Sequence, residues 1–357
     1  MFRKKRTLLL ALIPVVIFFL IVDIWTKDAQ LFGNFARQFV NEQKMKDYEA
    51  AHKMATAAAT REIAVDGREL KQVSLSGAGG AISVHRSSEP EVRLSYTVTI
   101  SAANQEKADR IRDAVNVKEE ITDGRLTFVT SADGENVDYH STTIDYVLSI
   151  PDGMKLSVAS EHGSVRIDGL QGDVEVNSVN GLLEMVRLAG TISVSSDYSS
   201  VYLSDIKGKV GLTNQNGDAN LDQIAGGITL DSESGRIFVS RSKGGITGET
   251  EDGPVYLSEI AGTVKLKGED AAIQLDQILG DTQIRSITGQ TKLILADNQG
   301  YTLHAKTSGG SIRTHLPLPI EQNQNEDDSK QLSGVVGDGT WKVDVETISG
   351  NIVINAK

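Results

Sequence analysis

From Leu156 onward the apolar positions come in short alternating runs, two to each 18-residue cycle. One run supplies the column Val165, Leu183, Val201, Ala219, Ile237, Val255, Ile273 and, two residues on, Ile167, Met185, Leu203, Leu221, Val239, Leu257, Leu275, Leu293. The other supplies Val174, Ile192, Val210, Ile228, Ile246, Val264 and then Val176, Val194, Leu212, Leu230, Gly248, Leu266, Ile284. A further column, Leu170, Leu188, Ile206, Ile224, Ile260 and Ile278, lies between the runs. Alternation of period two marks a strand with one buried face. Five inward aliphatics per cycle, drawn from two strands, predict a flattened, right-handed, parallel two-sheet β-solenoid with 18-residue rungs.

Glycine keeps the same ruler. Gly163, Gly181, Gly217, Gly235, Gly253 and Gly289 form one comb, with Ser199 and Ala271 at its two missing marks. A second comb, nine residues out of phase, runs Gly172, Gly190, Gly208, Gly226, Gly244, Gly262, Gly280. Glycine at a repeated corner suggests a left-handed backbone there. Two other coils share the period. A left-handed hexapeptide helix would repeat its aliphatics every six residues, and a calcium β-roll needs a G-G-x-G-x-D nonapeptide. Neither pattern recurs here.

The solenoid reading covers 156–357, with a polar, acidic loop insertion at 315–339 and two late registers, around Gly310 and Gly350. Residues 63–155 hold a displaced first rung, Val73 to Val84, followed by an α+β insertion over 86–150. In that insertion Val92 to Ile100 alternates, Asn104 to Val115 has helical spacing, and Val117 to Ile121, Leu126 to Thr130 and Ile144 to Ile150 read as strands. A solenoid leaves an open sheet edge at each end, so this insertion is expected to cap the N-terminal one. Residues 28–62 carry Phe32, Phe35 and Phe39 on one helical stripe and run into the alanine-rich stretch Ala55 to Ala59, which predicts a helical stalk.

Residues 1–27 change the picture from a free domain to an anchored one. Arg3, Lys4, Lys5 and Arg6 precede the apolar run Leu8 to Val22, and Trp25 follows it. As a helix, Leu8 to Trp25 would reach about 27 Å at 1.5 Å per residue, enough for a thin span. The basic flank places the N-terminus in the cytoplasm and the rest outside. No small-x-small cleavage site follows closely, which favours an uncleaved anchor over a signal peptide. A net charge of −12 argues against nucleic acid as the main partner. The chain has no cysteine, which excludes disulfides, thiolate chemistry and cysteine-ligated zinc.

Candidate chemistry is sparse. Tyr202, Phe238 and Tyr256 share one outward column with Asn220 and Gln274, and rings beside amides on a sheet suit a glycan or a protein partner. Glu233, then Glu251 with Asp252, then Glu269 with Asp270 stack on successive turns, a candidate cation-binding turn set against the plainer reading of a solvated acidic corner. Ser160, Ser178, Ser196, Asn214, Ser232, Thr250 and Ser286 recur at the corner preceding the first comb and read as side chains that bond the turn backbone. The six histidines are scattered, and G-x-S-x-G, H-E-x-x-H and P-loop motifs are absent, so no catalytic residue, resident metal or cofactor is assigned.

The segment Ile144-Asp-Tyr-Val-Leu-Ser-Ile-Pro-Asp-Gly153, followed by Leu156-Ser-Val158, Gly163-Ser-Val165 and Gly172-Asp-Val174, resembles a bacterial family of "putative adhesin" β-solenoid domains of unassigned function. The resemblance extends over 73–357, and the basic head, single span and external solenoid are similar to the layout of its membrane-anchored LiaG-type members. It implies a surface β-solenoid linked to envelope homeostasis. Taken with the anchor, this points to a non-catalytic accessory module in cell-envelope stress response or homeostasis, with cell-wall glycan, the membrane surface or an envelope signalling protein as partner. A polysaccharide-acting β-helix enzyme and a surface adhesin are the alternatives.

Overall fold

The computed structural model describes residues 54–134, 140–296, 299–318, 320–322 and 329–356. The basic head, the apolar run and most of the expected stalk lie outside the described residues, and within them no helix is long and apolar enough to cross a membrane. Residues 57–100 and 109–356 group as one compact unit, and residues 54–56 and 101–108 group separately. In the smaller group Asn104 Oδ1 accepts the Lys107 N–H at 2.9 Å, capping the start of helix α1 (Gln105–Ala114).

The larger unit is built on two sheets, A with 14 strands and B with 15. Strands β8 (Lys155–His162) to β23 (Gln290–Leu295) alternate between them, even numbers in B and odd in A. Each pairs in parallel with the strand one 18-residue cycle away, as in Val174↔Ile192 and Val201↔Ala219. All the aliphatic columns expected from the sequence are buried, including Leu170, Leu188, Ile206, Ile224, Ile260 and Ile278. At the one gap in that last column, Ser242 is buried and its hydroxyl donates to the Ile224 carbonyl at 3.1 Å.

The corners follow expectation only in part. Gly163, Gly181, Gly235 and Gly289 of the first comb and Gly172 and Gly190 of the second have positive φ, whereas Gly208, Gly217, Gly226, Gly244, Gly253, Gly262 and Gly280 do not. A further left-handed column, not expected from the sequence, runs from Gly169 through Arg187, Asp205, Gln223, Arg241, Glu259 and Gln277, the non-glycine members with φ between 51° and 58°, on the same 18-residue spacing. One such residue per rung shifts the alternation by a position, so Leu183, Met185 and Leu188 all face inward although their spacing is two and then three. The glycine combs answer a steric need. A methyl group on Gly181 would overlap the carbonyl oxygen of Gly163, and one on Gly208 would overlap that of Gly190. The serine and threonine corner column is buried, and Thr250 Oγ1 and Ser196 Oγ donate to the carbonyls of Gly253 and Ser199 at 3.1 and 3.2 Å.

Both ends of the stack depart from chain order. At the start, β2 (Gln72–Gly77) and β3 (Ile82–Arg86) lie beside β8 and β9 (Val165–Asp168), as expected for a first rung. Beyond them sits a further coil made of β6 (Arg125–Ala132) and β7 (Thr142–Ile150), which pair in parallel with β2 and β3. Antiparallel strands then close the edges, β5 (Val115–Thr122) on β6 and β4 (Glu91–Ala102) on β7. The Asp123-Gly124 hairpin between β5 and β6 has positive φ at both residues, which matches the twist of a tight β-hairpin. Strand β1 (Ala55–Asp66) neighbours β4, so a strand occupies the stretch where the alanines predict helix. Ladder pairing overrides alanine's helical preference there: buried Ala57 shares one face with the half-buried Ala59, Arg61, Ile63 and Val65, alternating with exposed residues.

At the other end, β28 (Trp341–Thr347) and β29 (Asn351–Ala356) stack directly on β22 (Thr282–Ser286) and β23. The earlier coil, β24 (Tyr301–Thr307) with β25 (Ile312–Thr314), lies outside them. The expected loop at 315–339 contains β26 (Ile320–Gln322) and β27 (Lys330–Val336), and β27 pairs antiparallel with β24 to cover the edge of sheet B.

Candidate functional site

Five neighbouring strands of sheet A set one outward column: β13 (Ser200–Lys207), β15 (Ala219–Ile224), β17 (Ile237–Ser240), β19 (Val255–Ile260) and β21 (Ile273–Ile278). Their register places Tyr202, Asn220, Phe238, Tyr256 and Gln274 side by side, as the sequence predicts. Phe238 and Tyr256 stack with centroids 4.8 Å apart and planes 10° from parallel. One face of each ring is thus covered by the other. Asn220 and Gln274 flank the stacked pair on either side in the same column. Tyr202, 37 % exposed, stands apart from the stacked pair across Asn220.

A second outward column runs beside the first, because residues two apart on a strand share a face. It reads Asp222, Ser240, Ser258 and Asp276, which column reading aimed at aromatics passes over. Together the columns line a groove of about 260 Å³ whose walls include Phe238, Tyr256, Ser240, Ser258 and Asp276. The two carboxylates of this second column differ, and of the two only Asp276 lines the groove. Asp222 accepts from Arg241 Nε at 2.9 Å and Ser240 Oγ at 2.7 Å, and the guanidinium holds its carboxyl below the usual carboxylate range against the opposing effect of burial. Asp276 Oδ1 is enclosed and has no hydrogen-bond partner. An enclosed acceptor without a partner is costly unless water or a ligand supplies the donor. Rings, amides, hydroxyls and one free carboxylate oxygen make this groove suited to a neutral polyhydroxyl ligand.

The acidic turns are arranged otherwise. Glu233, Glu251, Asp252, Glu269 and Asp270 are all exposed, and their backbone N–H groups donate down the stack, Asp270 to the Glu251 carbonyl at 2.8 Å for example. No three of these carboxylates come within 4.8 Å of one another. Glu251 and Glu269 instead rim a groove of about 500 Å³ on the outer face of sheet B. Its floor is a ladder of opposed charges in which Lys267 pairs with Glu249, and Arg285 with Glu346 at 3.2 Å. These charges largely satisfy one another within the groove.

None of the curated proteins matches the chain. Several solved structures align over most of it at low identity. A "putative cell adhesion protein" from Clostridium sporogenes ATCC 15579 is 10 % identical, covering 85 % of this chain and 100 % of its own, with a TM-score of 0.24. A "putative lipid binding protein" from Parabacteroides distasonis ATCC 8503 is 11 % identical over 84 % and 96 % of the two chains, with a TM-score of 0.36. A "putative adhesin" from Bacteroides fragilis NCTC 9343 is 16 % identical over 65 % and 97 %, with a TM-score of 0.26. Likeness of this degree carries no argument about a ligand. The sequence profile of one family does span the whole stack, from the first rung to the last strand, matching residues 71–355. The chain belongs to the Toastrack DUF4097 family.

Proposed function

We propose that this protein is a non-catalytic binding module of the bacterial cell envelope, anchored by residues 1–27 with its solenoid outside the membrane, and that the sheet A groove takes envelope glycan. The observation that carries the reading is the stacked Phe238–Tyr256 pair beside the enclosed, unpartnered Asp276 oxygen. Sugars offer apolar C–H faces to rings and hydroxyl donors to carboxylates, and both partners stand together here. The basic head, apolar run and external solenoid are the layout of LiaG-type proteins, which supports a role in envelope homeostasis.

The full chain in mild detergent is expected to co-sediment saturably with isolated bacterial cell walls. Absence of saturable wall binding would end the proposal. The absence of native cysteine makes the topology directly testable. In intact cells a membrane-impermeant maleimide should label Thr247→Cys and leave Lys4→Cys unlabelled, and the reverse pattern would place the solenoid inside.

A further inference from the structure

On the outer face of sheet B the two C-terminal coils bring together three side chains far apart in sequence. β24 and β28 run parallel with His304 opposite Asp344 and Lys306 opposite Glu346. Because alternate residues of a strand share a face, His304, Asp344 and Glu346 leave the sheet on one side. One ligand atom from each lies within 4.8 Å of the other two. Donors around a single zinc-sized ion sit about 2.0–2.2 Å from its centre, so small side-chain rotations close the set.

Two further features point to a cation. Asp344 Oδ1 is enclosed and without a hydrogen-bond partner, although Oδ2 accepts from Arg285 Nη2 at 2.7 Å. His304 Nδ1 lies 3.1 Å from the Ser333 hydroxyl on β27. If Nδ1 carries the proton and donates to Ser333, the ring is fixed in place with its Nε2 lone pair free, the arrangement found behind most metal-bound histidines. The strand that covers the edge of sheet B therefore also orients the histidine.

We propose that His304, Asp344 and Glu346 bind a first-row divalent transition ion of the zinc class, with Ser333 as the positioning residue. One nitrogen and two carboxylate oxygens with open positions suit zinc, whereas calcium takes six to eight oxygen ligands. Arg285, which contacts both carboxylates, competes with the ion for them. The site stands on the opposite sheet from the aromatic groove and does not depend on the glycan reading.

The test is titration of the chelator-stripped full chain with zinc, using cobalt as a spectroscopic reporter. One ion per chain is expected, with the visible absorption of a nitrogen- and oxygen-ligated cobalt centre. His304→Ala and Glu346→Gln should each weaken binding by about tenfold or more, and Ser333→Ala by about tenfold through the loss of ring orientation. Arg285→Met should tighten it by removing a competing charge. Equal affinity in wild type and His304→Ala, or no saturable zinc binding at tens of micromolar, overturns the proposal. Should His304→Ala lower the melting temperature of the metal-free chain, the Ser333→Ala and Glu346→Gln affinities decide in its place.

Discussion

At each comb glycine the backbone of one rung passes so close to the rung before it that a β-carbon has no room. The obstacle is backbone carbonyl, which cannot move aside as a side chain can. Gly208→Ala should therefore destabilise by about 3 kcal/mol or more, the upper range of overpacking costs. Gly211, three residues away on an outer strand face, has its nearest obstacle at 4.0 Å, so Gly211→Ala should be neutral or stabilising by up to about 1 kcal/mol. Paired denaturant melts of the two variants check this, and equal losses would contradict the steric account. The combs were legible in the sequence, but their cause was not. Spacing shows where glycine is required, whereas φ at Gln223 or Arg241 depends on how a corner closes between two sheets.

At the scale of the element, six successive rungs turn through a left-handed polar residue at the same position, and in two of them that residue also ties adjacent rungs together. Arg187 pairs with Asp168 and Arg241 with Asp222, each reaching the preceding rung. The Asp222 side chain is only 11 % exposed, and its carboxyl is held below the usual range chiefly by Arg241. A depressed folded pKa stabilises above the unfolded value, about 3.9 for aspartate, and that contribution disappears as pH falls through the folded value. Arg241→Gln should thus melt below wild type at pH 7, and the gap should shrink as pH falls below the unfolded aspartate value of about 3.9 and through the folded one. Glutamine already occupies the same left-handed position at 223 and 277, so the backbone tolerates the change. A gap that persists undiminished in acid would remove the ion pair as its cause. Strand β1 teaches the converse lesson about legibility. A run of alanines carries no period-two signal, and only pairing with β4 makes it a strand.

Across the whole molecule, the two ends of the stack share one device. The first and last coils of the solenoid each lie one layer in, covered by a coil that the chain builds later or earlier: β6 and β7 outside β2 and β3, and β24 and β25 outside β28 and β29. A terminal coil enclosed on both faces cannot fray without disturbing its cover. Native-state hydrogen exchange should find β29, flanked by β23 and β25, better protected than the three-residue edge strand β25. Earlier exchange of β29 would mean the coils stack in chain order. Sequence registers identified both late coils but could not rank them, since every coil offers the same aliphatic faces to its neighbours. The triad His304, Asp344 and Glu346 is invisible along the chain for a related reason, because only the register between the two late coils brings the three together.

The central claim is that the outward groove of sheet A binds a ligand and is not a decorated strand face. The most direct measurement is the cell-wall binding isotherm of Phe238→Ser/Tyr256→Ser beside wild type, with melting temperatures of both. The rings stand outside the core, Phe238 being 38 % exposed, so their loss should cost about 1 kcal/mol of stacking and leave the fold intact. If the groove binds wall glycan, the variant folds and loses saturable wall binding. A folded variant with an unchanged isotherm would contradict the claim.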